Sequence, residues 1–375
     1  MSEHEDKRMN MVQGICDHEV VVANSATVSG GFAFTGDSIN AGIQAYFDMV
    51  NSQGGIDGRK IRFIHVDDKY DPKEAQAAFD YLVNQKKVFA YVGHFGSPIV
   101  SATLDLIRQK GIPVVYFATG IGELYVEHAA EAEDGANCFP IQPLYITEGE
   151  EMVNTAVNRF GAKKIGVIYT PDDTGIDILV GAGRKASELK ADFIRFNAGP
   201  DNSRLEEAVE LLRKANADFV IVAAAQDCCV EIVKALAWHQ VNKPAILSYL
   251  NLTVTTSQEV VDLIRGKFDL FANAWLCYEG ENAANLEVAS AWLGDYAINA
   301  YAHCGWIGAH FFCEGLRRLE GQEVIWSSFT KAMERAPIKN PFGGEVDYAN
   351  GRRKGFSSFY LAKADKTART GWRIV

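Results

Sequence analysis

The sequence has no run of about 18 apolar residues, the length that a membrane-spanning helix requires. Its amino-terminal stretch, MSEHEDKRMNMVQGICDHE, is mixed in charge and lacks the apolar core of a secretory signal peptide. Two interpretations stay open: the chain is cytoplasmic, or it works outside the cytoplasm and its leader is absent from this sequence. In either case we expect residues 1–18 to form a flexible terminus.

Positive charge is scarce. The chain carries 37 Lys and Arg against 48 Asp and Glu, a net charge of −11, and no long basic block offsets this locally. Nucleic acids and anionic membranes are therefore poor partners, because like charges repel. We expect the partner to be a small molecule or another protein.

Cysteine is neither abundant nor regularly spaced. The seven cysteines are an odd number, which does not fit a disulfide framework, and they form no paired CxxC motifs for a metal. We expect most of them to be buried as small apolar side chains. The adjacent Cys228 and Cys229 could be redox-active, but the start of a helix lined with small residues is the simpler interpretation.

Catalytic signatures are missing as well. The sequence contains no GxSxG elbow, no HExxH pair and no phosphate-binding P-loop. His303 and His310 could share a metal across one helix face, but packing is the commoner role of such a pair. Asp67 and Asp68 follow a strand, as a catalytic pair can, but DDKYDP also serves as a loop and helix-start cluster. We expect no enzyme activity, no metal and no cofactor.

One motif suggests a nucleotide. VGAGRKA (180–186) matches the GxGxxA fingerprint for dinucleotides, and Asp201 lies about 20 residues further on, where an acid would bind the ribose. The fingerprint has to follow a strand directly, whereas the strand KKIGVIY ends about ten residues earlier. Apolar residues also keep a helical period straight through the glycines. We therefore predict a helix here and keep an NAD-dependent enzyme as a minor alternative.

The chain does have a regular alternation of short apolar segments with helix-period stretches. A parallel sheet covered on both faces requires this alternation, because each crossover helix buries its apolar stripe against the sheet. A length of 375 residues exceeds what one core supports, so two α/β domains with doubly wound parallel sheets are expected. The ten predicted strands are EVVVANSA (from Glu19), KIRFIHVD (Lys60), VFAYVG (Val88), PVVYFA (Pro113), NCFPIQ (Asn137), KKIGVIYT (Lys163), DFIRFN (Asp192), DFVIVAAA (Asp218), PAILSYL (Pro244) and FDLFANAWL (Phe268).

The carboxyl-terminal third, after Leu276, is a different kind of sequence. It is helical and rich in small and aromatic residues, and it ends in glycine-rich segments where Asn350-Gly351 signals a hairpin turn between short strands. It has too few strands to form a separate α/β domain, so we expect it to pack against the first two.

The chain contains three segments of a recognisable kind: SGGFAFTGDSINAGIQAYFDMVNSQGGIDGRKIRFIHVDDKYDPKEA, YVGHFGSPIVSATLDLIRQKGIPVVYFATG and RFGAKKIGVIYTPDDTGIDIL. Together they resemble the type I periplasmic binding proteins, in particular the leucine/isoleucine/valine-binding proteins that feed ABC importers. The resemblance runs from Glu19 to the end and implies two Rossmann-like lobes, joined by three crossovers, that close over a ligand by a hinge movement. One lobe would comprise residues 19–143 and 277–360, and the other 144–276 and 361–375.

The resemblance also implies a ligand site at the carboxyl ends of the strands, where open α/β sheets bind ligands. Ser97, in AYVGHFGSPIV, would hold a ligand carboxylate through its hydroxyl and backbone N–H, and the Ala118 carbonyl would accept an ammonium. Other positions depart from the family's pattern: Gly120 replaces a threonine, Tyr249 replaces the glutamate that pairs with the ammonium, Thr35, Thr174 and Ala225 stand at tyrosine positions, and Tyr70 and Gly96 stand at those of a cysteine pair.

Loss of that glutamate leaves two kinds of ligand open. Asp227 is close enough in sequence to replace it and pair with the ammonium of an amino acid, since a buried ammonium needs a partner. Alternatively the ligand has a carboxylate and no ammonium, which we favour slightly. Its apolar or aromatic body would then be walled by five aromatic residues: Phe34, Phe95, Phe117, Tyr249 and Tyr301.

The leading prediction is a monomeric, non-enzymatic solute-binding protein, periplasmic or associated with the outer side of the membrane. It would deliver a small amino acid or organic acid to the permease of an ABC importer. A cytoplasmic ligand sensor on the same fold is the alternative, motivated by the missing leader and the free cysteines. A DNA-binding version is disfavoured, because fewer than 20 residues precede the first strand, too few for a helix-turn-helix.

Overall fold

The computed structural model describes residues 13–125 and 135–375. The chain forms two compact units. Unit 1 contains the chain up to Gln142 together with Gly280–Phe356, and unit 2 contains Pro143–Glu279 together with Ser357–Val375. The chain therefore passes between the units three times, at bounds that differ by a few residues from the predicted ones.

Unit 1 is built on five parallel strands: β1 (Glu19–Ser25), β2 (Lys60–Val66), β3 (Ala90–Phe95), β4 (Val114–Ala118) and β5 (Cys138–Phe139). Their order in the sheet is β2-β1-β3-β4-β5. Every residue of β3 and all but the first of β1 are buried. Because successive side chains point to opposite faces of a sheet, both faces of these central strands are covered.

The helices of unit 1, labelled in chain order, are α1 (Ala33–Ser52), α2 (Pro72–Asp80), α3 (Ser97–Lys110), α9 (Ala283–Leu293), α10 (Ala300–Arg317) and α11 (Trp326–Glu334). The last three come from the carboxyl-terminal third, which completes this unit as expected. Buried Trp326 secures α11, since its Nε1–H donates to the Phe89 carbonyl at 2.8 Å.

Unit 2 contains a sheet of seven strands: β6 (Lys164–Tyr169), β7 (Asp192–Asn197), β8 (Phe219–Ala223), β9 (Ala245–Leu247), β10 (Leu270–Ala274), β13 (Tyr360–Ala364) and β14 (Trp372–Ile374). Their order is β14-β13-β10-β9-β8-β6-β7. β6 to β10 pair in parallel, while β13 and β14 add an antiparallel hairpin to β10. The helices are α4 (Tyr145–Asn158), α5 (Asp173–Leu189), α6 (Leu205–Ala215), α7 (Gln226–Trp238) and α8 (Val254–Ile264).

All ten predicted strands are present, and the α/β class with two parallel sheets is confirmed. The fingerprint-like VGAGRKA lies inside α5, as predicted, so its glycines form no phosphate-binding turn between a strand and a helix. This position contradicts the dinucleotide interpretation. Cys228 and Cys229 lie in the first turn of α7, which agrees with the simpler interpretation of that pair.

Each unit contains two helices that touch through glycine. A β-carbon on Gly181 of α5 would lie 1.9 Å from the Ile146 carbonyl oxygen of α4, and one on Gly149 of α4 would lie 2.2 Å from that of Ile178. Unit 1 repeats the arrangement with α1 and α10: Gly42 faces the carbonyl oxygen of Ala302 and Gly305 that of Ile39. The glycines of the false fingerprint are therefore explained by close helix packing.

Two predictions need correction. Residues 13–18 belong to the packed structure, since Gln13 Nε2 donates to the Val88 carbonyl at 2.8 Å and Val21 N donates to the Gly14 carbonyl. The remaining 12 residues of the predicted flexible terminus lie outside the described residues. Asn350-Gly351 does form a turn with positive φ, but it joins no strands. The short hairpin of β11 (Ile338–Lys339) and β12 (Glu345–Val346) turns earlier, at residues 340–344.

Candidate functional site

The carboxyl end of the unit 1 sheet brings two hydroxyl groups together. Ser97 begins α3 directly after Gly96, whose φ of 99° is a conformation that L side chains rarely adopt. Ser97 Oγ lies 2.8 Å from Oγ1 of Thr119, the residue that follows β4. Since β3 and β4 are parallel neighbours, their ends meet at one edge of the sheet. Ser97 is half-buried and Thr119 fully buried.

Thr119 is a residue that the sequence analysis missed. The resemblance directs attention to Gly120, where a threonine would be replaced, yet a threonine hydroxyl is supplied one position earlier. The available signal was its place directly after a buried strand, the same criterion that identified Ser97. The Ala118 carbonyl, the predicted ammonium acceptor, receives the Gly96 N–H over a long 3.5 Å.

Three aromatic rings form a cluster that reaches Gly96, the residue before Ser97. Phe32 and Tyr70 stack, with ring centroids 4.1 Å apart and an interplanar angle of 24°. The Phe95 ring lies 6.4 Å from Phe32 and 5.9 Å from Tyr70. Phe95 was a predicted wall residue, whereas Phe32 was not considered and Tyr70 was noted only as the position of a family cysteine. We call Phe32, Tyr70 and Phe95 the ring group.

A carboxylate-rich loop holds Tyr70 in place. Lys69 and Tyr70 both have left-handed backbone, with φ of 55° and 59°, and their N–H groups donate to Asp67 Oδ1 and Asp68 Oδ1. Asp68 is fully buried and also accepts from Thr27 Oγ1 at 2.7 Å, and burial raises the pKa of its carboxyl. Asp71 caps α2. Asp67, Asp68 and Asp71 therefore serve a loop and a helix start, one of the two roles considered for the first two.

The other residues predicted in unit 1 have diverse surroundings. Phe117 is fully buried, with its ring 6.4 Å from that of His94 inside the core. Phe34 is 63% exposed in the first turn of α1, and Thr35 beside it is buried. Tyr301 is half-buried in the first turn of α10. Of the predicted unit 1 positions, the ring group and the hydroxyl pair thus include only Phe95 and Ser97.

Three histidines, His94, His303 and His310, are part of the packing. His94, from the GHFGSP turn, is fully buried, its Nε2 lies 2.7 Å from Thr103 Oγ1, and burial lowers its pKa to about 4. His303 Nε2 lies 3.1 Å from the Ala297 carbonyl, and His310 lies between the Tyr46 hydroxyl and the Lys339 carbonyl. Among the described residues, no group of three or more His, Cys, Asp or Glu side chains is arranged to hold a metal.

Unit 2 has its own strand-end edge. Thr174 lies in the first turn of α5 and Ala225 precedes α7, both half-buried. Asn251 joins the ends of β8 and β9, because it accepts from Gln226 N at 2.9 Å and donates to the Ala224 carbonyl at 3.0 Å. Asp227, the predicted substitute acid, is exposed in the first turn of α7.

Tyr249 is buried and engaged within unit 2. Its hydroxyl donates to the Pro143 carbonyl at 2.8 Å, and its ring lies against those of Tyr145 and Trp275. Its backbone N–H donates to Glu148 Oε1 at 2.7 Å, while Ser248 Oγ donates to Glu148 Oε2 at 2.8 Å. Glu148 is fully buried, and burial raises its pKa to about 8.

Glu148 is a second residue that sequence reasoning missed. The signal was its position on the buried stripe of α4, which also contains Tyr145, Met152, Val153 and Ala156. A carboxyl group on an apolar helix face indicates a buried acid with dedicated hydrogen bonds.

Four carboxylates surround the Cys228 thiol at the unit 2 edge. Burial and the negative charges of Glu231, Asp201, Asp172 and Asp227 raise the pKa of this thiol. It therefore stays protonated at neutral pH, which argues against a reactive thiolate.

Elsewhere along the described chain, none of the helices is both long enough and apolar enough to cross a membrane.

A chain that passes three times between two α/β units has the architecture of the bilobal solute-binding proteins. A family model described as periplasmic binding protein matches residues 19–369, and the chain belongs to this family. Its members are solute-binding proteins that normally work outside the cytoplasm.

Curated relatives match over part of their length. An amino acid binding protein of Pseudomonas aeruginosa is 28% identical over 170 residues, 44% of this chain and 44% of the relative. A Leu/Ile/Val-binding protein of Citrobacter freundii is 24% identical over 204 residues, 54% of this chain and 53% of the relative. The chain thus spans about half the length of these relatives or less.

The fold of the chain matches solved structures over nearly its whole length. A branched chain amino acid ABC transporter protein from Thermus thermophilus with bound valine has a TM-score of 0.82 at 15% identity, covering 96% of both chains. A fatty acid ABC transporter substrate-binding protein from Thermomonospora curvata also has a TM-score of 0.82, at 19% identity, covering 97% of this chain and 92% of that one. At these identities the likeness shows the fold, and the predicted family and fold are confirmed.

Proposed function

We propose that the protein is the extracytoplasmic solute-binding component of an ABC importer and captures a small carboxylate-bearing solute by hinge closure. The observation that carries the proposal is the hydroxyl pair of Ser97 and Thr119 at the first turn of α3. The half-buried Ser97 hydroxyl can donate to a carboxylate there while it accepts from the buried Thr119 hydroxyl, and the helix N-terminus adds backbone N–H groups and a favourable dipole.

Several groups support a ligand without an ammonium. Tyr249 stands where the family's pattern has a glutamate, and its hydroxyl is engaged with the Pro143 carbonyl. Glu148 lies in the interior, where a pKa of about 8 leaves it mostly neutral at pH 7. Asp227 is exposed, where water weakens an ion pair. These three residues offer no buried negative charge to pair with an ammonium, so an organic acid fits the site better than an α-amino acid.

The ligand can be identified by native mass spectrometry of the purified protein, since closed clefts often retain a solute. We expect the mass of an organic acid. A mass matching leucine, isoleucine or valine would contradict the proposal that the ligand has no ammonium, while leaving the carboxylate site intact.

The carboxylate site is tested by Ser97→Ala. We expect titration calorimetry with the identified compound to show binding weakened by about 1–3 kcal/mol, the scale for a hydrogen bond to a charged group. Ser101→Ala is the matched control, because Ser101 lies on the same helix but is exposed and 3.4 Å from Glu123. If Ser97→Ala binds as tightly as this control, Ser97 is only a turn residue.

Hinge closure and location need separate tests. We expect small-angle scattering to show a smaller radius of gyration after saturation with the compound, and an unchanged radius would contradict capture by closure. Fractionation of cells expressing the natural gene should place the protein outside the cytoplasm. Recovery in the cytoplasm alone would instead support a ligand sensor.

A further inference from the structure

The ring group adjoins the hydroxyl pair through Gly96. A β-carbon on Gly96 would lie 2.6 Å from Cε2 of Tyr70 and 3.4 Å from its Cδ2. The edge of the Tyr70 ring therefore rests on the backbone of the residue that immediately precedes Ser97. Any residue other than glycine at this position would displace the ring.

The loop that places Tyr70 contains unfavourable backbone conformations and a buried carboxyl group. Two consecutive non-glycine residues, Lys69 and Tyr70, adopt left-handed backbone, which is unfavourable for each of them. The turn also requires the carboxyl group of Asp68 to be fully buried. Strain and buried charge of this kind persist where the surroundings fix a conformation that serves a site.

The rings are only partly covered. Phe32 and Tyr70 are half-buried, whereas Phe95 behind them is 7% exposed. Part of the apolar ring surface thus remains accessible next to Gly96, which immediately precedes the half-buried Ser97 and the first turn of α3. Stacked and edge-to-face contacts between aromatic rings stabilise more than burial of their area alone.

We propose that Phe32 and Tyr70 select the solute, and that the preferred ligand is an aromatic carboxylate whose ring packs on this pair while its carboxylate accepts from the Ser97 hydroxyl, which Thr119 orients from behind. The proposal rests on the carboxylate site described above and adds the chemistry of the ligand's body. A saturated carboxylate of similar length would still bind through its carboxylate, but contact with the rings would contribute less to its binding free energy.

The test compares phenylacetate with hexanoate, an aromatic and a saturated carboxylate of the same length from carboxyl group to tip, by titration calorimetry. In the wild-type protein we expect phenylacetate to bind more tightly. Tyr70→Leu should weaken phenylacetate binding by roughly 3- to 10-fold and hexanoate binding by less than about 2-fold, while Tyr70→Phe retains the preference. Phe32→Leu should act in the same direction as Tyr70→Leu.

The outcomes separate the two proposals. If Ser97→Ala weakens binding of both acids but Tyr70→Leu weakens both equally, Tyr70 only supports the loop and the aromatic preference is wrong. Tighter binding of hexanoate by the wild type would overturn it as well. If neither acid binds, or Ser97→Ala changes neither affinity, the carboxylate site itself is wrong. Thermal unfolding of each variant shows whether the loop substitutions leave the protein folded.

Discussion

Glu148 is a carboxyl group in the interior of unit 2 whose two oxygens accept from Tyr249 N and Ser248 Oγ. These bonds fix the end of β9, yet they do not make up for the loss of hydration, since the pKa is raised from 4.5 to about 8. Among the described groups, none with a positive charge contributes to this shift. Ionisation of Glu148 at high pH should therefore destabilise the turn that carries Tyr249.

We expect Glu148→Gln to remove a pH dependence of stability. Between pH 4.5 and 8 the folded chain holds a proton at this group that the unfolded chain has lost, so the free energy of unfolding falls as pH rises. The slope from one such group reaches about 1.4 kcal/mol per pH unit. Urea unfolding from pH 5 to 9 measures it.

The glutamine can still accept from Tyr249 N, and it carries no charge at any pH. The variant should consequently be more stable than the wild type above pH 8. An identical slope in both proteins would show that Glu148 is not the group responsible.

Residues of the site were predictable to different degrees. Ser97 follows a buried strand directly in sequence, so a local pattern locates it. Thr119 lies one position before the one that the resemblance indicated, and only the folded backbone after β4 shows that its hydroxyl reaches Ser97. Phe32, Tyr70 and Phe95 come from three separate loops or strand ends, and only the folded sheet brings their rings together.

At the scale of elements, α4 and α5 approach so closely that glycine is required on each. The motif VGAGRKA contains a matched pair for testing this requirement. A β-carbon on Gly181 would meet the Ile146 carbonyl oxygen at 1.9 Å, whereas one on Gly183 would first meet the Phe193 ring, at an ordinary 3.5 Å. Both glycines lie in the interior of the same helix.

We expect Gly181→Ala to destabilise the protein by about 1–3 kcal/mol, because the two helices have to separate. Gly183→Ala should instead stabilise it by about 0.5–1 kcal/mol, since alanine favours helix and meets no clash. Chemical denaturation of the two variants provides the comparison. Equal effects would mean that α4 and α5 can move apart freely.

The strands were predictable because they form continuous apolar runs, which in a parallel sheet covered on both faces follow directly from burial. The hairpin prediction failed for a physical reason. Asn-Gly signals positive φ, a local property that Asn350 and Gly351 do have. Strand pairing depends on what flanks the turn, and the actual pairs close around residues 340–344 and 365–371.

For the whole molecule, the two units should respond to pH in opposite directions. In unit 1, the pKa of His94 is lowered from 6.5 to about 4 by burial. Between these values the unfolded chain binds a proton that the folded chain does not, so stability falls as pH falls from 6.5 to 4. In unit 2, Glu148 makes stability fall as pH rises.

Hydrogen exchange with mass spectrometry can measure the two units separately. We expect protection factors in β1 and β3 to decrease below pH 6.5, and those in β8 and β9 to decrease towards pH 8. His94→Gln should reduce the first change and leave the second. A parallel response of both units, unaffected by His94→Gln, would contradict this assignment.

The contact between the Tyr70 ring and Gly96 occupies positions where the family's branch has a cysteine pair. This chain holds its loop by packing, which needs no oxidising surroundings. Its seven cysteines are all free, and burial raises the pKa of Cys138 and Cys304 to about 12, so these thiols resist air oxidation and alkylation. The protein can therefore be produced in a reducing bacterial cytoplasm and handled in dithiothreitol without loss of the packing that holds this loop.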